Sequence, residues 1–446
     1  MLATALALLL AAAPASPAKL PLRACAVQGV PAKCGTLLVP ENRDTGIGPR
    51  IGLRIVVVPA RLKPARADAF TYLAGGPGGA ATEQTAVVNS IWSGVHEHRD
   101  ILLVDQRGTG GSHPLACPPP APSEDVGVVI RSCLASLNGD PAQYGTAAAA
   151  DDLEAVRAAL GYRSLNLYGI SYGATLAQVY LARHLRSVRT VVLDGATLLD
   201  VSFFGRFAVN GQRALDVVAR RCGRERACVR SFPSWPKQLR ALIEAWNARP
   251  VAVTPDATLS GDDLAGLIQS LTLNTASAAA IPLVVAGAAR GDYGPLARQL
   301  PGGGPENPLM FWSIWCNERW AGLDASGPWG TYLDGYVATQ LERYRSVCSY
   351  VPDHTEPPSN RARVRSKVPA LALVGGADPQ DPAANVAGLG AAMPRARVVV
   401  VPEHGHGVGA YGCLPRLVSL FVERGSAGTL DVRCVRKIEP PPFALR

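Results

Sequence analysis

No two of the ten cysteines in this 446-residue chain are spaced Cys-x-x-Cys, which argues against a zinc ribbon or a redox dithiol. No internal repeat is present, and no basic run interleaved with aromatics that would suit nucleic acid. The formal charge of +9 comes from 44 Lys+Arg against 35 Asp+Glu, but the arginines are scattered. Such a balance favours solubility and attraction to anionic surfaces. Beyond the N-terminus, no stretch is long and apolar enough to span a bilayer. With 18% charged and 48% hydrophobic residues, the composition excludes a disordered chain. The length suits two or three domains, or one large α/β domain with an insertion. No obligate protein partner is evident.

What is present begins with a leader. Met1 through Ala13 are almost all Leu and Ala, followed by Pro14-Ala15-Ser16-Pro17-Ala18. Residues 1–18 read as a signal peptide cut after Ala15 or Ala18, although its start lacks Lys and Arg. The cysteines fall as neighbours: Cys25 and Cys34, Cys117 and Cys133, Cys222 and Cys228, Cys316 and Cys348, Cys413 and Cys434. Five local disulfides are expected, in a secreted or periplasmic protein.

The most informative stretch is Leu165 to Ala177, where an apolar run ends in Gly169-Ile170-Ser171-Tyr172-Gly173 and enters a helical pattern. Strand, sharp turn and helix form a nucleophile elbow. A serine hydroxyl attacks well only when it stands clear of the fold with a base beside it. Ser171 is therefore the candidate nucleophile. Gly169 and Gly173 stand where side chains would collide.

The partners follow in chain order. A serine hydrolase needs a base, an orienting carboxylate and oxyanion donors. His404-Gly405-His406-Gly407 follows the expected strand Val398–Val401, and His406, flanked by glycines, is the candidate base, with His404 as fallback. His184 lies in the helix leaving the elbow and His354 in a proline-rich linker, so neither suits. Two histidines so spaced also occur in metal sites, but no third ligand cluster accompanies them. No metal or organic cofactor is expected. The candidate acid is Asp378, closest to the end of the strand Ala370–Val374, while Asp381 reads as the N-cap of a helix over 383–392 with Pro382 at N1. Oxyanion donors are backbone N–H groups. Tyr172 supplies one, and the Gly75–Gly79 turn the other, with Gly76 before Gly78.

Strands alternate with helices from Gly35 to Leu193, and again from Ala370 to Val422. This predicts a mostly parallel sheet with helices on both faces. Between them the pattern is helical, with Ser260 and Asp263 spaced as a capping box. The expected organisation is an α/β-hydrolase core over 19–197 and 368–446, interrupted by a helical cap over 198–367.

Gly75-Gly76-Pro77-Gly78-Gly79, Asp105-Gln106-Arg107-Gly108-Thr109-Gly110-Gly111-Ser112 and Gly169-Ile170-Ser171-Tyr172-Gly173 together resemble the prolyl aminopeptidase-like α/β-hydrolases, closest to the secreted tripeptidyl aminopeptidase branch. Asp378-Pro379, Gly405-His406-Gly407 and the segment with Cys413 and Cys434 match that branch. The resemblance covers roughly Cys34–Asp194 and Val368–Cys434. Gln380-Asp381-Pro382 departs from the branch's usual Val-Thr-Pro, and Ala74 stands where prolyl aminopeptidases often carry His. The resemblance implies a serine exopeptidase acting on peptides with a free N-terminus, with an acidic cap residue pairing the ammonium. Glu318 is the candidate for that residue, with Glu83 second. Phe311, Trp312, Trp315 and Trp320 either line the pocket or form cap core. A carboxylesterase-type hydrolase with the same triad is the alternative.

Overall fold

Short apolar runs bounded by glycine, proline and aspartate become the strands of one large sheet. The computed structural model describes residues 20–117, 126–300, 307–319, 327–354 and 358–446. The expected leader, the Pro118–Pro122 stretch and Trp320 lie outside them. In chain order the strands are β1 (Arg23–Val27), β2 (Val30–Pro40), β3 (Arg50–Val58), β4 (Asp68–Leu73), β5 (Ile101–Val104), β6 (Ser164–Ile170) and β7 (Val188–Asp194). The insertion carries β8 (Val251–Thr254) and β9 (Ala257–Leu259), after which come β10 (Ala370–Gly375) and β11 (Ala396–Val401). Nine strands pair in the order β1-β2-β3-β5-β4-β6-β7-β10-β11. From β5 to β11 every pairing is parallel, and the edge through β1, β2 and β3 is antiparallel. At this edge β2 and β3 form a hairpin that β1 extends.

Alternation along the central strands builds two cores, one on each face. Leu165, Leu167, Val191, Leu193, Ala372 and Val374 point to the face covered by the Thr146–Leu160 and Tyr172–Arg183 helices. Tyr168, Val192, Leu371 and Leu373 point to the other, covered by Trp92 and the Leu414–Arg424 helix. With both faces covered, the strands read as continuous apolar runs rather than alternating ones.

The insertion has its own core, which includes Leu215, Trp235, Trp246, Ile268, Val285 and Leu333. Three differences from the sequence expectation appear there. The region carries the β8–β9 hairpin as well as helices. The Pro308–Ile314 helix packs Leu309, Met310, Trp312 and Ile314 against the sheet's core, so the aromatic run is not cap core alone. The helical pattern breaks there into Thr275–Ala278 and Ile281–Ala288, because Pro282 suits only a first turn. The Gly261–Leu273 helix does start on the Ser260–Asp263 capping box.

After β10, the helix expected over 383–392 is instead a 3-10 turn (Ala383–Val386) and a single helical turn (Leu389–Ala392), parted by Gly388 at φ 83°. Asp381 is not its N-cap; Pro382 occupies that place. All five neighbour disulfides form. No described helix is long and apolar enough to cross a membrane.

Candidate active site

The sheet brings the C-terminal ends of β4, β6, β7, β10 and β11 to one edge, where ligands bind in open α/β sheets. Ser171 sits between β6 and the Tyr172–Arg183 helix at φ 55°, ψ −124°. A non-glycine residue there carries backbone strain of about 1–3 kcal/mol. Its surroundings enforce it: a Cβ on Gly169 would lie 2.2 Å from the Gly173 carbonyl oxygen, and one on Gly173 2.0 Å from that of Leu73. Only glycine lets strand, helix and the neighbouring β4 meet this closely. The Ser171 N–H donates to the Asp194 carbonyl at 2.9 Å, pinning the turn to the end of β7.

The glycine turn after β4 lies against the elbow. A Cβ on Gly75 would stand 3.1 Å from the Ser171 Cβ and 3.7 Å from its Oγ. Gly76 follows at φ 118°, a conformation natural to glycine. The Tyr172 N–H opens the helix after Ser171, where first-turn donors have no acceptor within the helix.

Asp378 and His406 meet across the ends of β10 and β11. His406 Nδ1 donates to Asp378 Oδ2 at 2.8 Å, a direction set by the acceptor-only carboxylate. Asp378 is fully buried, and its Oδ1 accepts from the N–H groups of Gln380 (2.9 Å) and Asp381 (2.8 Å). Burial opposes the carboxylate's charge, but His406 and these backbone donors outweigh it and hold the pKa below the ordinary range. For His406, burial opposes protonation, and the Asp378 carboxylate overrides it, raising the pKa above the ordinary value. Among the described residues, His406 Nε2 is buried without a hydrogen-bond partner. Its ring packs on Gly195, where a Cβ would come within 2.6 Å. Such a ring, oriented at one nitrogen and open at the other, suits a proton carrier. His404, the fallback, turns its Nδ1 to the Pro402 carbonyl instead (2.7 Å).

The inserted region reaches into this machinery. Arg213, on the Phe204–Arg224 helix, donates to the carbonyls of Gly376 (3.0 Å) and Asp378 (2.9 Å). His406 N–H donates to the Leu273 carbonyl at 2.7 Å, and Gly405 N–H to Thr275 Oγ1 at 3.0 Å. Asp194, buried at the end of β7, accepts from Val408 N–H (2.8 Å), Gly409 N–H (2.9 Å) and the Tyr168 hydroxyl (2.5 Å). None of these contacts is local in sequence, so no motif announced them.

Asp105 and Arg107 of the second glycine-rich motif are structural. Asp105 accepts from Thr82 and Gly111, while the buried Arg107 guanidinium grips Asp152 (2.6 Å) and the carbonyls of Glu41 and Gln143. Gln106 reaches the Tyr172 hydroxyl at 2.8 Å, which also meets Thr146 Oγ1 at 2.7 Å. Glu318 joins that network: it accepts from the Thr146 N–H at 2.7 Å and from the Thr146 hydroxyl, and it faces His354 Nε2 at 3.3 Å. Its carboxylate thus caps the first turn of the Thr146–Leu160 helix. Glu83 lies in the turn after the glycines, its carbonyl accepting from Gln28. Asp378, Asp381 and His406 each offer one ligand atom within 4.8 Å of the others. Asp381 Oδ1 accepts from the Thr197 hydroxyl and Asp378 Oδ2 from His406 Nδ1, which fits a proton relay better than a metal.

Two family models match. Residues 74–220 match the alpha/beta hydrolase fold, and residues 335–434 match the family described as TAP-like protein. The chain has the α/β-hydrolase fold. A tripeptidyl aminopeptidase of Streptomyces coelicolor is 29% identical over 188 residues, covering 37% of this chain and 35% of that protein. A putative hydrolase of Escherichia coli, YuaR, is 28% identical over 266 residues, covering 54% and 52%. A protein named carboxylesterase B from Mycobacterium tuberculosis is 30% identical over 270 residues, covering 54% and 52%. The matched stretches therefore span about a third to a half of these curated relatives' length.

Proposed function

We propose that the chain is a secreted or periplasmic serine exopeptidase, an aminopeptidase acting on peptides with a free N-terminus. The observation that carries the catalytic part is the His406–Asp378 hydrogen bond of 2.8 Å, with the His406 ring against Gly195, next in the chain to the Asp194 whose carbonyl holds the Ser171 N–H. Ser171 Oγ adds to the scissile carbonyl carbon while its proton passes to His406 Nε2. Asp378 holds the imidazole in the right tautomer and steadies the imidazolium. The carbonyl oxygen, now negative, is held by the N–H groups of Tyr172 and Gly76. The C–N bond then breaks, the amine leaves with the proton from His406, and an acyl-enzyme remains on Ser171. Water, deprotonated by the same nitrogen, releases the acid.

The aminopeptidase part is supported by the similarity to the tripeptidyl aminopeptidase and to the TAP-like family. Export is supported by five disulfides, which persist outside a reducing cytosol. A carboxylesterase reading is favoured by the Mycobacterium tuberculosis relative. The deciding experiment compares a tripeptide amide with a free N-terminus, its acetylated form and an aryl ester, in the native chain and in Ser171→Ala. Cleavage of the free peptide alone, lost in the variant with the fold intact, is the expected outcome; equal cleavage of both peptides, or of the ester alone, removes the aminopeptidase. Glu318→Gln tests the ammonium contact. Lost preference for the free N-terminus would assign the amine to Glu318, whereas a change in stability alone would leave it as a helix cap.

A further inference from the structure

Beside Gly76 a cavity of about 190 Å³ runs toward Gln380, two residues past Asp378. Its walls come from three separate places: Phe203, Phe204 and Phe207 at the start of the first inserted helix, Phe311 and Trp315 around the Pro308–Ile314 helix, and Tyr336 and Tyr344 on the Asp334–Cys348 helix. The rings meet edge to face, Trp315 lying 5.2 Å from Phe203 and 5.1 Å from Phe204, and Phe204 5.0 Å from Tyr344. This packing leaves the cavity lined by ring faces and edges. Gln340 and Gln380 add amides, and no charged side chain lines it among the described residues.

We propose that this cavity is the pocket for the side chain on the acyl side of the scissile bond, and that it selects a large apolar one, phenylalanine or leucine above alanine. The inference rests on the serine hydrolase reading of Ser171 and adds the substrate class. Two arguments carry it. Gly76 stands both in the cavity wall and in the turn against Ser171, so the substituent next to a carbonyl held there points into the aromatic walls. The size also fits, since an apolar cavity of about 150 Å³ accommodates a benzene ring. A benzyl group entering among these rings gains edge-to-face contacts beyond its area burial. A lysine or glutamate side chain would lose its hydration without a partner ion.

The test uses peptides Ala-Ala-X 4-nitroanilide with a free N-terminus, where X is Ala, Leu, Phe or Lys. Labelling of Ser171 by a fluorophosphonate is measured in parallel, as are the 4-nitrophenyl esters of acetate and 3-phenylpropanoate. Expected is a kcat/KM for Phe and Leu about 10- to 100-fold above Ala, with Lys below Ala. Gln340→Trp, which puts a bulky ring into the cavity, should erase that preference, bringing kcat/KM for Phe and Leu down to or below that for Ala. Equal rates for Ala and Phe in a Ser171 that labels would overturn the pocket, as would preference for Lys, which would make the rings a cation site. If no anilide is cleaved but the phenylpropanoate ester outruns acetate by the same ratio, the exopeptidase reading falls and the pocket stands. A Ser171 that neither labels nor hydrolyses overturns both. Should Gln340→Trp fail to fold, the native substrate series decides alone.

Discussion

The guanidinium of Arg213, carried on an inserted helix, donates to the backbone carbonyl of Asp378 at 2.9 Å. A second nitrogen of the same side chain holds the Gly376 carbonyl, so both ends of the acid's turn hang from one residue. Burial pulls the guanidinium's pKa down, with the Asp378 charge opposing. Arg213→Met should lower kcat by about 10- to 100-fold, because small misplacements of a catalytic group are costly. KM should change little, and the pH profile should shift with the loosened acid. Steady-state kinetics across pH reads both; a change in melting temperature alone would make Arg213 merely structural.

Activity and stability should respond to pH in opposite directions around His406. Its folded pKa lies above the ordinary 6.5, since the Asp378 charge outweighs burial. The base works only when neutral, so kcat/KM should rise with pH through an apparent pKa above 6.5. Folding favours the protonated ring, so its contribution to stability is whole below pH 6.5 and fades as pH rises through the raised value. Asp378, held below 3.8, contributes above 3.8 and loses that contribution as pH falls through its depressed value. Stability from the pair is therefore greatest between these limits, on the acid side of the activity. Asp378→Asn should move the activity rise down toward pH 6.5, remove the pair's stability trend and cut kcat by about 10⁴-fold. Melting curves and kcat/KM over one pH series check the contrast.

Gly173→Ala should fail at the level of the fold. The new methyl would stand 2.0 Å from the Leu73 carbonyl, in backbone that cannot step aside without parting the helix from β4. A loss of about 3 kcal/mol or more is expected from such overpacking. Gly223, with nothing within 4 Å of an added Cβ, is the control, where alanine should be tolerated. Chemical denaturation of the two variants makes the comparison.

Arg107→Leu should destabilise by about 3–5 kcal/mol, the usual result of stripping one partner from a buried ion pair. Asp152 would keep Arg43 but lose its fully buried partner, and the Glu41 and Gln143 carbonyls would lose a donor. Expression of a soluble variant with native denaturation midpoints would refute this.

The elbow turn and the strand ends that carry Asp378 and His406 were legible because their constraints are local. Gly169, Ser171 and Gly173 report a collision that any chain making this turn must avoid, and Asp378 and His406 each stand just past an apolar run. The strands read well for the same reason, since β6, β7 and β10 are buried on both sides. What was not legible depends on contacts distant in sequence. Arg213 lies 165 residues from Asp378, and nothing around it marks its partner. Glu318 was expected to face a substrate amine, and its engagement with Thr146 follows only from how the Pro308–Ile314 helix docks on the sheet. Gly388 interrupted an apparently helical stretch by adopting a left-handed backbone that composition does not reveal.

The chain's last residues return from the sheet to the inserted region. Phe443 packs in that region's core under the Arg221 guanidinium (3.9 Å), Arg221 also donates to the Pro441 carbonyl, and Ala444 N–H donates to Ala279. This tail adds a third tether to the two crossings of the insertion itself. A roof fastened on three sides cannot swing as a hinge without tearing out the Leu273 and Arg213 contacts that seat the base and the acid. Access to Ser171 is then expected to be set by the width of the opening between this roof and the sheet more than by a swing of the roof.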